Sequence, residues 1–305
     1  NRCNLRCKMC VSHGDGLYQG QRGDMPAFMD LDLFKSIVSQ YKALPSDTKI
    51  VAPQFQGESL MHPRFLEFCE ILEGERLPFS FVSNGMLMSA EKADALLAMK
   101  YFRGCSFSMD GARKETVENI RIGSRYETLC ENIRYFASLA RAKKRDGADV
   151  FVGLSYTMQP ENQDEFNDFV NQWIAEVDRI NVNIVAVDGR PTHLLWQPKR
   201  FACQDLFHFM IVLTDGTVVP CCRDYTYSLR IGNLTQQTLD EIWYSERYTA
   251  MRELQLRKKY AGISICGDCD TWMTHSPECR TRELAPGLIF EEHPFWGLIK
   301  RTNNA

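Results

Sequence analysis

Between Leu31 and Val187 the apolar residues switch repeatedly between helical and strand spacing, and that rhythm restricts the fold more than any other feature of the chain. Leu31, Phe34, Ile37, Val38 and Tyr41 share one helical face. Lys49 to Phe55 reads as a buried strand, Pro63 starts a helix with Phe65, Phe68, Cys69 and Leu72 inward, and Phe79 to Val82 reads as the next strand. A helix over Ala90 to Met99, a strand over Gly104 to Met109 and a long helical stripe from Tyr126 to Ala140 follow. Val150 to Thr157 is a strand, Phe166, Phe169, Val170, Trp173 and Ile174 mark a helix, and Ile180 to Val187 is a strand. Such alternation predicts a parallel sheet with right-handed crossovers, open or curled into a barrel, with functional groups at the C-terminal strand ends.

Ahead of this rhythm stand Cys3, Cys7 and Cys10, with three and then two residues between them. Three soft thiolates on one short loop suit an iron–sulfur cluster, and three ligands for four irons leave one iron open to a group that is not protein. Half of a zinc site is the alternative, but a third cysteine at this offset argues against it. A Gly-rich stretch from His13 to Asp24 follows the loop. The chain has 12 cysteines in 305 residues, too large and helix-rich for a small disulfide scaffold, so reduced thiols holding metal are the better reading. A formal charge of -3 gives no electrostatic case for nucleic acid or an anionic membrane, and no apolar stretch reaches the length of a membrane span. A cytoplasmic protein is expected. The chain lacks an initiator Met, so further sequence is expected upstream of Asn1.

The Cys3–Cys7–Cys10 spacing, with Asn4-Leu5-Arg6 inside it, resembles the signature of the radical S-adenosylmethionine (SAM) superfamily. That resemblance implies an α/β fold: a partial (β/α)6 barrel over residues 1–190, its first strand lying upstream of Asn1. It also implies that SAM chelates the open iron of a [4Fe–4S] cluster held by Cys3, Cys7 and Cys10. Gln56-Gly57-Glu58 is similar to the family's Gly-Gly-Glu motif, which receives the SAM amino group, with Gln56 in place of the first glycine. Ser83-Asn84-Gly85 is similar to its Thr-Asn-Gly, and Ser108-Met109-Asp110-Gly111 to its Ser-x-Asp-Gly; these polar groups face the SAM ribose and methionine moiety. Taken singly, Asn84-Gly85 and Asp110-Gly111 also fit ordinary turn chemistry. Met9 occupies the position that the family gives to a residue against the adenine, and Arg121 that of an Arg following the Ser-x-Asp strand.

Beyond Arg190 to Pro198, read as a linker, the pattern becomes Cys-rich. Leu213 to Val218 reads as a strand, an Asp-Gly turn and a strand, a hairpin that brings Cys203 and Cys221 close. With Cys266-Gly267-Asp268-Cys269 this run resembles the SPASM or twitch extension of radical SAM enzymes, expected over residues 191–285 and followed by a tail over 286–305. The resemblance implies one auxiliary [4Fe–4S] cluster on Cys203, Cys221, Cys266 and Cys269. Four-thiolate zinc and a set including Cys279 remain alternatives. The full SPASM pattern continues with three further cysteines where this chain has His275, Cys279 and no later cysteine, which argues against a second auxiliary cluster. Cys222 is a candidate hydrogen donor to a substrate radical.

The family implies reductive cleavage of SAM to a 5'-deoxyadenosyl radical that takes hydrogen from a substrate carbon. A ribosomally made peptide is the expected substrate, modified by epimerisation, oxidation or crosslinking; the alternative is dehydrogenation or epimerisation of a sugar or aminocyclitol. A low-potential donor such as flavodoxin or ferredoxin is the expected partner. A non-catalytic zinc or iron–sulfur module explains the cysteines but not the ordered polar strand ends at Glu58, Ser83, Asn84, Ser108 and Asp110.

Overall fold

The computed structural model describes residues 1–14, 25–45, 49–184, 186–187, 190–191, 199–294 and 296–301. Its frame is a seven-stranded sheet in which Phe79–Ser83, Phe102–Ser108, Phe151–Met158 and Arg179–Ile184 lie side by side and parallel. The helix Ala90–Ala98 joins the first two strands, Lys114–Ile120 and Tyr126–Arg145 the second and third, and Phe166–Trp173 the third and fourth. Leu31–Ala43 and Phe65–Gly74 precede them. Asp30 and Ser89 cap two of these helices with side-chain acceptors, satisfying backbone N–H groups that the first turn leaves unpaired.

Period-two alternation decides which strand residues enter the core. Phe79, Phe81, Cys105, Phe107, Leu154, Tyr156 and Ile180 pack beneath the helices with Leu96, Phe136, Phe169 and Trp173, all at 2 % exposure or less. Ser106, Ser108, Ser155 and Asn183 fall on the opposite face, where Asn183 Nδ2 donates to Ser155 Oγ at 3.0 Å. The barrel expectation holds, with three differences in detail. Lys49 to Phe55 contributes only a parallel bridge between Val51 and Phe79, because Pro53 has no N–H for a ladder and Gln54 N folds back on Ala52 O at 2.7 Å. The expected strand Ile180 to Val187 stops at Ile184, and Ala186–Val187 instead pairs antiparallel with Arg190–Pro191. Most of the expected linker, residues 192–198, and of the Gly-rich stretch, residues 15–24, lies outside the described residues.

The third difference corrects the tail expected over 286–305. Arg280–Ala285, Leu288–Glu292 and Trp296–Arg301 are antiparallel strands, and the last pairs with Arg179–Ile184 from Trp296↔Asn183 to Lys300↔Arg179. The hairpin between the first two turns at Pro286-Gly287, where Gly287 has φ +74°. Phe290 and Ile299 join the barrel core, so the return of the chain covers a sheet edge that would otherwise present unpaired backbone.

The Cys-rich module has its own core of Leu206, Val218, Ile231, Leu234, Ile242, Tyr248 and Met251, against which Leu33 and Ile37 of the first helix pack. The expected hairpin is present as Ile211–Val212 and Thr217–Val219, turning at Gly216 with φ +83°. Among the described residues no helix is long and apolar enough to cross a membrane.

Candidate functional site

The cysteine loop is fixed by backbone before any ligand is considered. Arg6–Cys7 pairs antiparallel with Arg121–Ile122, and Lys8 N donates to Ile120 O at 2.9 Å. Cys10 N bonds to Cys7 O at 3.0 Å and Gly14 N to Cys10 O at 3.0 Å, so the loop turns tightly around its own carbonyls. A Cβ on Gly14 would come within 2.1 Å of Cys7 O, which only glycine avoids.

Burial pushes the Cys7 thiol up to about 11 while the Arg121 guanidinium pulls it back, and burial also raises Cys3. Both thiols are therefore protonated near neutrality, and binding a metal displaces their protons. Arg121 is the nearby cation, with Nη1 3.8 Å from Cys7 Sγ and Nη2 2.7 Å from Asp110 Oδ2. Asp110 is wholly buried, accepts from Thr157 N at 2.6 Å through Oδ1, and its carbonyl accepts from Asn162 Nδ2 at 3.0 Å. The expected ribose-facing carboxylate thus stands behind Arg121, as its anchor.

Glu58 is similarly engaged. Oε1 accepts from Ser83 Oγ at 2.8 Å and Leu60 N at 3.1 Å, and Oε2 from Asn84 N at 2.7 Å. Burial pushes its carboxyl up and these donors pull it back. With three donors on the carboxylate, Glu58 ties its own loop to the end of the Phe79–Ser83 strand. Asn84 Nδ2 donates to Asn4 Oδ1 at 2.8 Å and lies 3.9 Å from Cys3 Sγ, carrying that tie into the cysteine loop. Glu58, Ser83 and Asn84 therefore reach Cys3, and Asp110 and Arg121 reach Cys7, whereas the Gln56 side chain turns to Tyr227. Met9 is half-buried beside Cys10, and half-buried Ser108 stands opposite Ser155 in register, on the sheet's inner face.

Gly57 lies against the start of the chain: Glu58 N bonds to Arg2 O at 2.7 Å, φ is +113°, and a Cβ would sit 2.5 Å from Arg2 O. Gly57→Ala is expected to weaken SAM binding at least about tenfold, roughly 1.4 kcal/mol, read by equilibrium dialysis of the reconstituted protein; unchanged affinity would refute this placement.

The second cluster of thiols is in the C-terminal module. Cys203, Cys221, Cys266 and Cys269 line one cavity together with Arg200, Asp205, Arg223 and Thr271. Burial pushes Cys203 up to about 12 and Cys266 to about 11, and Cys221 is also raised. The four thiols line the same cavity, and a set of four thiolates is the donor chemistry of an iron–sulfur cluster as well as of zinc. Cys222 and Cys279 do not line the cavity; Cys279 is exposed, and His275 Nε2 bonds to Asp205 Oδ1.

Four residues of the site were not singled out from the sequence. Asn4 lay within the quoted motif but carries no charge or thiol to mark it. Thr157 acts through its backbone N–H and Asn162 through a side-chain amide that donates to the Asp110 and Thr157 carbonyls, contacts that no sequence pattern reports. Tyr227, with φ +56° and 4 % exposure, donates to Gln56 Oε1 at 2.7 Å and joins the two modules. Tyr227→Phe, which leaves that half-buried acceptor without its donor, is expected to lower stability by about 1 kcal/mol, measured by denaturant unfolding.

Comparison with known proteins agrees with this geometry. The Radical SAM superfamily model matches residues 1–172, and the SPASM iron–sulfur cluster-binding domain model matches residues 203–270. A protein of Pyrococcus furiosus described as a tungsten-containing aldehyde ferredoxin oxidoreductase cofactor-modifying protein is 25 % identical, over 92 % of this chain and 89 % of its own. The structure of BtrN with AdoMet and 2-DOIA superposes with a TM-score of 0.60 at 16 % identity, covering 91 % of this chain and 92 % of that one. Streptococcus suis SuiB bound to precursor peptide SuiA gives 0.64 at 14 % identity, over 82 % of this chain and 64 % of that one. With a cysteine loop braced by the Glu58 loop and two strand ends, a second set of four thiols on one cavity, and family models covering both, the chain belongs to the radical SAM superfamily and carries a C-terminal SPASM domain.

Proposed function

We propose that this radical SAM enzyme modifies a ribosomally made peptide, as an oxidoreductase or epimerase, using SAM, a [4Fe–4S] cluster on Cys3, Cys7 and Cys10, and one auxiliary [4Fe–4S] cluster on Cys203, Cys221, Cys266 and Cys269. The observation that carries the chemistry is the network joining Cys3 and Cys7 to Asn84, Glu58, Arg121 and Asp110 at the C-terminal ends of parallel strands. Bound there, SAM and its cluster would supply the radical chemistry, a 5'-deoxyadenosyl radical able to take hydrogen from a substrate carbon. Arg121 balances thiolate charge, Glu58 and Asn84 hold the SAM-facing loops in register, and Ser108, Ser155 and Asn183 present hydroxyl and amide groups on the inner sheet face. Cys222, outside the ring of ligands, keeps its thiol hydrogen and is the proposed donor to a substrate radical. The electron donor would be a low-potential flavodoxin or ferredoxin, in the cytoplasm, with neither nucleic acid nor membrane as partner.

SuiB with its precursor peptide, and anSMEcpe with AdoMet and a Cys-containing peptide, support the peptide reading. A small-molecule substrate is the second reading, favoured by the full-length likeness to BtrN, whose structure holds 2-DOIA, and by the cofactor-modifying relative. Incubation with candidate peptides in heavy water under reducing conditions separates the outcomes. One deuterium in the product, lost in Cys222→Ala with auxiliary iron retained, is expected for epimerisation. Loss of two hydrogens indicates dehydrogenation or crosslinking, and peptides left unchanged while an aminocyclitol or sugar is consumed would overturn the peptide reading.

A further inference from the structure

The auxiliary cavity is lined by two polar groups that nothing in the protein satisfies. Arg200 Nε and Thr271 Oγ1 are buried without a hydrogen-bond partner, and both residues line the cavity with Cys203, Cys221, Cys266 and Cys269. A buried donor left unmade costs about 1–3 kcal/mol, so two of them at one cavity call for an acceptor inside it. Arg200 is held firmly for such a role. Nη1 donates to Gly267 O at 2.7 Å and Nη2 to Cys266 O, both in the Cys266–Cys269 loop, while the guanidinium stacks 4.0 Å from the Tyr260 ring centre. Two of its nitrogens are spent on backbone that carries cluster ligands, and the third remains available. Thr271 follows Cys269 by two residues, and its neighbour Asp270 pairs with Arg223 at 3.7 Å.

We propose that Arg200 and Thr271 are positioning donors to the sulfur atoms of the auxiliary cluster and that they raise its reduction potential. The proposal rests on the assignment of that cluster to the four thiolates. A cluster that gains one electron becomes more negative, and buried N–H and O–H donors stabilise the reduced form more than the oxidised one. The other charged groups at the cavity are already engaged: Asp205 by His275, and Arg223 by Asp270 and Tyr225. Gln255 also lines the cavity, but its side chain is engaged with the Cys266 thiol and Cys203 N, so Arg200 Nε and Thr271 Oγ1 are the lining donors still without a partner.

The test uses the full chain with Cys3, Cys7 and Cys10 replaced by Ala, reconstituted anaerobically so that only the auxiliary cluster is loaded. Its midpoint potential is measured by reductive titration followed by electron paramagnetic resonance. Arg200→Met and Thr271→Val are each expected to lower the potential while about four irons per chain are retained. Arg200→Lys, which keeps the charge but loses the planar fork, is expected to fall between Arg200→Met and the parent. Unchanged potentials in both Arg200→Met and Thr271→Val would overturn the proposal. If Arg200→Met loses its iron, near-isosteric Thr271→Val decides alone: a lower potential supports the donor role and an unchanged one overturns it. Absence of iron in the parent would instead overturn the cluster assignment, and the proposal with it.

Discussion

Replacing Cys7 by Ala is expected to abolish 5'-deoxyadenosine formation and to lower iron from about eight to about four per reconstituted chain. Cys7 is the best-integrated of the three loop thiols: it is buried, its backbone pairs with Arg121, and Arg121 Nη1 lies 3.8 Å from its sulfur. Cys3 and Cys10 are half-buried and could lend partial occupancy to a weakened site, but a cluster with two protein thiolates lacks the tripod that leaves one defined iron open. The auxiliary thiols sit in a separate module with its own apolar core, so their irons should survive the substitution. Iron and sulfide analysis beside chromatography of SAM cleavage products measures both effects on one sample. Undiminished cleavage would sink the assignment of the loop; loss of all iron would show that the two sites load cooperatively.

That separation of modules was legible in the sequence because the signals are local. The cysteine spacings, the Asp215-Gly216 turn and the helical stripe from Tyr126 to Ala140 each sit within one segment, and each is present in the structure. What the sequence concealed depends on contacts between distant segments. Glu58, Ser83, Asn84 and Asp110 stand out as polar strand ends, but the direction of their side chains does not. Asp110 meets Arg121 across a helix and a turn, and Glu58 meets Ser83 from 25 residues away. The last three strands were missed for a different reason. Trp296–Arg301 shows little clean alternation, and beside its neighbour Leu288–Glu292 its other partner is Arg179–Ile184, more than 100 residues earlier. The Pro286-Gly287 pair was the available signal for that hairpin, and a tail reading passed over it.

Arg121→Met is expected to destabilise the apoprotein by about 3–5 kcal/mol, because it strands a charge that the fold has buried. Asp110 is fully buried, with Thr157 N as its other close donor, and burial already pushes its carboxyl up against the pull of Arg121. Without the guanidinium, Asp110 must take up a proton or draw in water, and either path weakens the junction between the Phe102–Ser108 and Phe151–Met158 strand ends. Asp110→Asn in the same chain removes the stranded charge while keeping an oxygen for Thr157 N, so the double variant should recover most of the loss in anaerobic denaturant unfolding. It should not recover the cluster. Arg121 holds the Cys7 thiol below where burial alone would put it, so its removal raises that thiol further. A raised thiol pKa lowers the thiolate fraction at any pH beneath it, and iron loading of the first site should then require a higher reconstitution pH than wild type needs. Stability restored together with unaltered loading would reduce Arg121 to a structural counterion for Asp110; stability restored with loading still displaced to higher pH would show that the pair exists to deliver a cation to Cys7.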